Sequence, residues 1–404
     1  MTPSRRRVGK ALAAALAKAL LLSVAPQVWS SEPAPVLIGI TAEFGHPTST
    51  SAQSIRAGIL AAIEEINARG GVLGKRPLEL VERDDRSVPS RGVDNFRELA
   101  AMKGMAGVFV GKFSTVAMEL VPLATTLRVP LLVPWAAADG LVDNREPLNY
   151  VFRLSLRDAW AMEALVRGAH ERGFRKLGLI VPNSAWGRSS IQAASSAMRI
   201  APKAVLLDPL FYNFGDRTLQ AQYNQLVSAG ADALLLVANE PEGAILVNEV
   251  VSSGARKLPI FSHWGITGGR FTEIAKANYG KLDLSVVQTF SFADSPSEKA
   301  RRVGTRLMRE FSVESVRQLP SQVGAAHAYD LTHILAAAIT KAGTADGAAV
   351  RQALLASEAY DGLIKRYVKP FAPGRQEALS AQNVYLAKYD EEGVLVRANV
   401  ARRR

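Results

Sequence analysis

The sequence contains no cysteine. That excludes disulfides, thiolate catalysis and cysteine-ligated zinc, and it removes the lipid-bearing cysteine that would tether an exported chain at its cleavage site. Long single-sign charge blocks are also missing: the 49 basic and 37 acidic residues are interspersed, apart from Arg402, Arg403 and Arg404. With no basic stripe and no recognition motif, nucleic acid is not an expected partner. Beyond the first thirty residues no apolar run approaches the ~20 residues of a membrane span. HExxH, GxSxG and Walker-loop patterns are absent. Of the five histidines, His46, His170, His263, His327 and His333, the last two stand six apart, the wrong spacing for one helix face. Asp84 and Asp85, beside Arg83 and Arg86, read as a solvated strand end in preference to a metal site. Catalysis, a cofactor and a metal are therefore not expected.

What is present is an ordinary globular composition, 48% hydrophobic and 21% charged, in 404 residues, enough for two cores. The N-terminus reads differently. Arg5, Arg6, Arg7 and Lys10 precede an apolar run from Ala11 to Ala25 broken only by Lys18, and Val28-Trp29-Ser30 puts small residues near a cleavage point before Ser31. This is the pattern of a secretory signal over residues 1–30, too short in its apolar part for a membrane anchor. The arginines resemble a twin-arginine signal, although Gly9 stands where that pattern prefers an apolar residue. Without the signal, 44 basic residues face 37 acidic ones, a net charge of +7. A chain exported with neither anchor nor disulfide is expected in the periplasm.

Short apolar runs alternate with helical spacing along the rest. Val36 to Ile40 fits a buried parallel strand; Ile55, Ile59, Ile63 and Ile66 recur at helical spacing and Gly70-Gly71 ends that helix. Strands at 78–81, 106–110 and 131–133 alternate with helices at 93–102 and about 116–127. A second series follows, with strands at 177–181, 205–207, 233–237 and 259–261 and helices at 160–170, beyond Ser189 and at 220–228. Such alternation predicts α/β architecture with doubly wound parallel sheets in two lobes. The strand at 286–290, the helix at 325–342 and the late strand at 383–387 cannot be docked by periodicity.

Several strings resemble the type I periplasmic binding proteins, specifically the leucine/isoleucine/valine-binding branch that serves ABC importers. They are Ala57 to Asp85 (AGILAAIEEINARGGVLGKRPLELVERDD), Gly107 to Thr115, Val129 to Asp139, Ser184 to Gly187 and Ala328 to Asp330. The resemblance implies two lobes joined by a three-segment hinge near 152–156, 287–291 and 367–373. Residues 31–153 plus 290–366 then form lobe I, and 154–289 plus 367–404 lobe II.

Ligands of open α/β sheets lie beyond the carboxyl ends of the strands. In the first lobe those positions are Glu43 and Phe44, then Phe113, Ser114 and Thr115, then Trp135, Ala136 and Ala137; in the second they are Asn183 and Trp186, Asn239 and Glu240, and His263 and Trp264. Ser114 and Thr115 precede a helix, where hydroxyls and amides can hold a carboxylate or simply cap the helix; the resemblance favours the carboxylate. Tryptophans at 135, 186 and 264 suit an apolar or ring-bearing solute. The resemblance also places an ammonium-binding acid at position 265 and a Thr at 138, where this chain has Gly265 and Ala138. Either Glu43, Asp139 or Glu240 replaces that acid, or the solute is not an ordinary α-amino acid, which is the preferred reading. The expected function is capture of a small carboxylate, amide or amino-acid-like compound by a monomer that delivers it to an ABC permease. A sensing role at a membrane receptor or kinase is the alternative, and a periplasmic enzyme a remote one.

Overall fold

The computed structural model describes residues 34–398. The signal segment with its cleavage point and the C-terminal arginines lie outside the described residues. No described helix is long and apolar enough to cross a membrane.

Strand β1 (Val36–Ala42) lies inside the first sheet, with every residue from Ile38 to Ala42 buried, as a parallel strand covered on both faces requires. It runs parallel to β2 (Leu78–Asp84) on one side and β3 (Met105–Val110) on the other, and β4 (Leu131–Val133) and β5 (Val151–Arg153) extend the sheet in the order β2-β1-β3-β4-β5. Helices α1 (Ser51–Ala68), α2 (Pro89–Ala100) and α3 (Ser114–Leu127) form the connections. In α1 the expected stripe Ile55, Ile59, Ile63 and Ile66 is buried, each side chain contributing about 1.5–3 kcal/mol.

The second lobe begins with α4 (Asp158–Glu171), β6 (Lys176–Pro182), α5 (Ala185–Ala197), β7 (Val205–Leu206) and β8 (Leu210–Tyr212). It continues through α6 (Gln220–Ser228), β9 (Ala233–Leu236), α7 (Glu240–Ser252), β10 (Ile260–Ser262), α8 (Phe271–Ala275) and β11 (Leu284–Gln288). The chain then returns to the first lobe as α9 (Glu298–Phe311), α10 (Gln322–Ala342) and α11 (Gly347–Leu355), where α9 and α10 pack on α1. The approach of α10 is close enough that a Cβ on Gly58 would lie 2.1 Å from the Ala325 carbonyl oxygen. A small hairpin of β12 (Tyr360–Asp361) and β13 (Arg366–Tyr367) follows, and β14 (Tyr385–Tyr389) and β15 (Leu395–Arg397) close the second sheet antiparallel beside β11. That sheet reads β15-β14-β11-β10-β9-β6-β7, with β8 also paired to β6.

The chain passes between lobes three times. The first and third crossings lie side by side: Arg153 donates to both carboxylate oxygens of Glu377, at 2.9 and 2.5 Å, and to the Ala138 carbonyl at 2.8 Å. On the second crossing, Thr289 Oγ1 lies 3.0 Å from His327 Nε2, while His327 Nδ1 is 2.8 Å from the Pro134 carbonyl. That carbonyl accepts only from N–H, so Nδ1 carries the proton and the Thr289 hydroxyl donates to Nε2. Burial pushes His327 down to about 4.

Three expectations change. Helix α5 starts at Ala185, ahead of Ser189, because the Ser184 hydroxyl caps it by accepting from Gly187 N–H. Strand β8 was not anticipated because Leu210–Tyr212 pairs only with β6 and has Leu210 half-buried and Phe211 exposed, so it lacks the uninterrupted apolar character of the inner strands. Asp85 is not a solvated strand end: it is buried, accepts from Thr41 Oγ1 and Ser87 N–H, and is raised to about 7 by burial and then by the nearby Glu43.

Asp330 ties the β12–β13 hairpin to α10, accepting from the N–H groups of Leu363 (2.6 Å) and Ile364 (3.1 Å) and from Tyr367 Oη (2.8 Å). Burial outweighs these donors and lifts its carboxyl to about 6. Between pH ~4 and ~6 the folded chain therefore holds a proton that the unfolded chain has released, and the stability from this group falls as pH rises through that window. Urea unfolding of Asp330→Asn should show a larger loss relative to the native chain at pH 4.5 than at pH 7; an equal loss at both would remove the proton from the argument.

Candidate functional site

A pocket lies between the lobes, and each of its walls follows the carboxyl end of a strand. Lys112, Phe113, Ser114 and Thr115 come after β3, and Trp135 and Ala137 after β4. From the other lobe come Ser184 and Trp186 after β6, Phe214 after β8, Asn239 after β9, and Trp264 and Gly265 after β10. This is the crevice that open parallel sheets provide for ligands. The walls leave only about 20 Å³ of free space, far below the ~300 Å³ of a small-molecule site, so the lobes stand closed on one another.

Ser114 does not cap its own helix. Its Oγ accepts from the backbone N–H groups of Ala137 and Ala138, at 3.2 and 3.3 Å. A hydroxyl oxygen has two lone pairs and one proton; with both lone pairs engaged, the proton is left to donate into the pocket. The first N–H groups of α3 have no intrahelical acceptor and add the positive end of the helix dipole. The residue is 5% exposed, so its surroundings are largely dry.

Five aromatic side chains supply the bulk of the remaining lining, Phe113, Trp135, Trp186, Phe214 and Trp264. Trp135 and Trp264, one from each lobe, lie with ring centroids 5.3 Å apart. Phe113 and Phe214 meet edge to face at 6.0 Å, also across the cleft. The Trp186 indole spans the remaining wall. Its Nε1–H donates to Asp158 Oδ1 at 3.1 Å, and its far edge fills the space beside Gly265, where a Cβ would lie 2.5 Å from Trp186 Cη2 and 2.3 Å from the Ala238 carbonyl oxygen. No side chain fits at position 265. Beneath the indole, His263 packs edge-on at 5.0 Å. Its Nε2 is 3.1 Å from Asp158 Oδ1 but off the hydrogen-bonding line, so neither ring nitrogen is paired, and neither is Asp158 Oδ2.

At one end of the pocket Lys112 of the first lobe meets Glu240 of the second at 2.7 Å, both side chains almost wholly buried. Glu240 also accepts from Thr48 Oγ1 at 3.2 Å. Breaking a buried pair by removing one partner leaves an uncompensated charge and costs about 3–5 kcal/mol.

Eight of the fourteen expected positions line the pocket: Phe113, Ser114, Thr115, Trp135, Ala137, Trp186, Asn239 and Trp264. The other six sit elsewhere, for identifiable reasons. Glu43 accepts from the Ser49 and Ser51 hydroxyls and from Lys112 N–H and so fastens two loops together. Phe44 packs against the first lobe's core and Ala136 is buried behind the wall. Asn183 faces Asn213 on the surface, Glu240 is consumed by Lys112, and His263 lies under Trp186. Asp139 is bound by Arg157 at 2.8 Å, so none of the three acids considered as a replacement for one at 265 lines the pocket. Sequence reasoning missed Lys112, which directly precedes Phe113, and Phe214, whose loop was invisible once β8 was overlooked.

The profile of the periplasmic binding protein family matches residues 35–393. A leucine/isoleucine/valine-binding protein homologue of Brucella melitensis is 24% identical over 327 residues, covering 80% of this chain and 83% of its own. The isoleucine complex of a branched-chain amino acid transporter substrate-binding protein from Streptococcus pneumoniae superposes with a TM-score of 0.75 at 21% identity, over 90% of this chain and 100% of that one. A solute-binding protein from R. palustris in complex with benzoate gives 0.74 at 17% identity, over 90% and 95%.

Because Lys112 and Glu240 can both regain water when the lobes part, the penalty of losing one falls on the closed state. Small-angle scattering of Lys112→Met should report a larger radius of gyration than that of the native chain, and Lys112→Met/Glu240→Met should recover part of the difference. An unchanged radius in the single variant would show that the pair does not hold the lobes together.

Proposed function

Because the chain belongs to the periplasmic binding protein family, we propose that it is a periplasmic solute-binding protein. In this reading it takes a small carboxylate or carboxamide with an apolar or aromatic body between its lobes and delivers it to an ABC importer of the inner membrane. The observation that carries this reading is the Ser114 hydroxyl, its lone pairs occupied by two backbone amides and its proton free for an anion, at the mouth of an aromatic-walled cleft.

The two lobes, residues up to 153 plus 290–366 and residues 154–289 plus 367 onward, swing about the three crossings, with Arg153–Glu377 holding two of them in register. A solute that touches both lobes shifts the equilibrium toward closure. Its carboxylate rests against Ser114 and Thr115 of one lobe, and its body lies among Trp135, Trp186, Trp264 and Phe214. No acid lines the pocket near Gly265, and a buried ammonium without a carboxylate partner costs several kcal/mol. That argues for a solute of the kind benzoate represents over one of the kind isoleucine represents.

The test is a thermal-shift screen on the chain from Ser31 onward, unfolded and refolded to strip carried-over solute. Binding to the folded state raises the melting temperature by mass action. Aromatic and branched aliphatic carboxylates should raise it, and leucine, valine and phenylalanine should not. For whichever carboxylate binds, Ser114→Ala should raise Kd by ~10-fold or more, the value of a hydrogen bond to a charged group, and Trp186→Ala should weaken binding much more than folding. Standard amino acids binding as tightly as plain carboxylates would overturn the assignment.

A further inference from the structure

We infer that a second solute site lies beside the second crossing, outside the crevice, and takes a neutral polyhydroxylated molecule of sugar size. It rests on the lobe-closure reading only for its effect on the crevice.

A cavity of about 520 Å³ lies there, within the ~300–1,000 Å³ of small-molecule sites. Its walls come from Thr50 and the loop ahead of α10 on the first lobe, from Arg270 to Glu273 and the β14–β15 turn on the second, and from Gln288, Phe290 and Ser291 on the crossing itself. It shares no lining residue with the crevice. The Gly268 carbonyl marks the partition. It accepts from Thr50 N–H at 2.9 Å on the cavity side and lies 3.4 Å from Lys112 Nζ on the crevice side.

Several polar groups of this wall are already engaged. Gln322 accepts from Phe292 N–H at 2.8 Å and donates to the Val316 carbonyl at 3.1 Å, and the Thr50 and Ser321 hydroxyls meet at 2.7 Å. Gln288 Nε2 and Ser291 Oγ differ. Their residues are 4% and 8% exposed, and neither atom has a hydrogen-bond partner among the described residues. Unpaired buried polar groups are costly, so two on one short stretch of a cavity wall point to a molecule that pairs them.

The surrounding charges decide its class. Arg317 is held by Asp390 at 2.5 Å and Glu392 at 3.0 Å, pairs that join the two lobes, and Arg270 stands 4.0 Å from Glu273. Each lining charge thus has an opposite neighbour, and the cavity calls for neither an anion nor a cation. An amide and a hydroxyl, which between them donate and accept, match alcohol groups instead. Phe290, Leu319 and Val323 add apolar surface for the C–H faces of a sugar ring. Such a molecule touches both lobes and the crossing. It therefore favours the closed arrangement, as a solute in the crevice does, and by reciprocity each tightens the other.

Saturation-transfer NMR at millimolar concentration tests the site, with glucose, maltose and trehalose as probes and glucose 6-phosphate as the charged control. At least one neutral sugar should give a signal and the phosphate none. Gln288→Leu/Ser291→Ala should abolish the signal while leaving the melting temperature unchanged or higher, because removing unpaired buried groups relieves a penalty. Thr272→Trp, which fills the cavity from a half-buried position in its wall, should abolish it too and serves if the double variant fails to fold. Silence from every neutral sugar, an equal signal from glucose 6-phosphate, or a signal that survives in a folded variant overturns the inference. A carboxylate that binds the crevice should do so at least threefold more tightly with the sugar at saturation, and an unchanged Kd would remove the coupling to closure. If a sugar binds and Thr272→Trp removes it, but no carboxylate binds the native chain, the second site stands and the carboxylate reading at Ser114 falls.

Discussion

The closed arrangement depends on one constraint: two full charges, Lys112 and Glu240, come from different lobes and are almost completely removed from water only when they meet. Neither can be buried alone without a penalty of several kcal/mol. Lobe closure therefore brings both in together or not at all, and the register of the whole cleft follows from that. The partners around them are backbone and hydroxyl groups of the facing loops, Thr48 and the Gly268 carbonyl, so the pair also aligns residues 48–51 with 267–270. Every other contact across the cleft, aromatic or polar, forms within that register.

Two halves of the pocket use different physics. The Ser114 side is polar and preorganised, since a hydroxyl already locked by two amides loses little freedom when its proton finds an anion. The tryptophan side is apolar area whose shape is set from behind. Asp158 turns the Trp186 indole, and His327, bonded to both Pro134 and Thr289, lies against Trp264 with ring centroids 5.5 Å apart. Through His327 the second crossing touches the aromatic wall directly, so hinge geometry and pocket shape are not independent.

Much of this was legible in the sequence because parallel strands buried on both faces read as uninterrupted apolar runs, and helices as stripes such as Ile55 to Ile66. The edge rule for open sheets then found Ser114, Trp135, Trp186 and Trp264 without any structure. It failed where its inputs failed. Strand β8 pairs with β6 alone and leaves Phe211 exposed, so it does not read as a buried strand and the loop bearing Phe214 went unseen. Glu43 and Glu240 occupy the right loop ends, but whether a carboxylate there faces solute or another loop depends on long-range partners, Ser49, Ser51 and Lys112, that no local pattern encodes. Asp85 misled for the same reason: a charged dipeptide looks solvated until the fold buries it. The docking of residues 298–355 on the first lobe also required tertiary information, because apolar stripes on helices do not name their neighbours.

The tryptophan pair across the cleft has a consequence for light as well as for solutes. Trp135 and Trp264 belong to different lobes, and their rings lie 5.3 Å apart, close enough for their ultraviolet transitions to couple. That coupling gives a signed exciton band in circular dichroism that two separated indoles lack. Parting of the lobes erases it, so the chain carries a built-in optical gauge of its own closure.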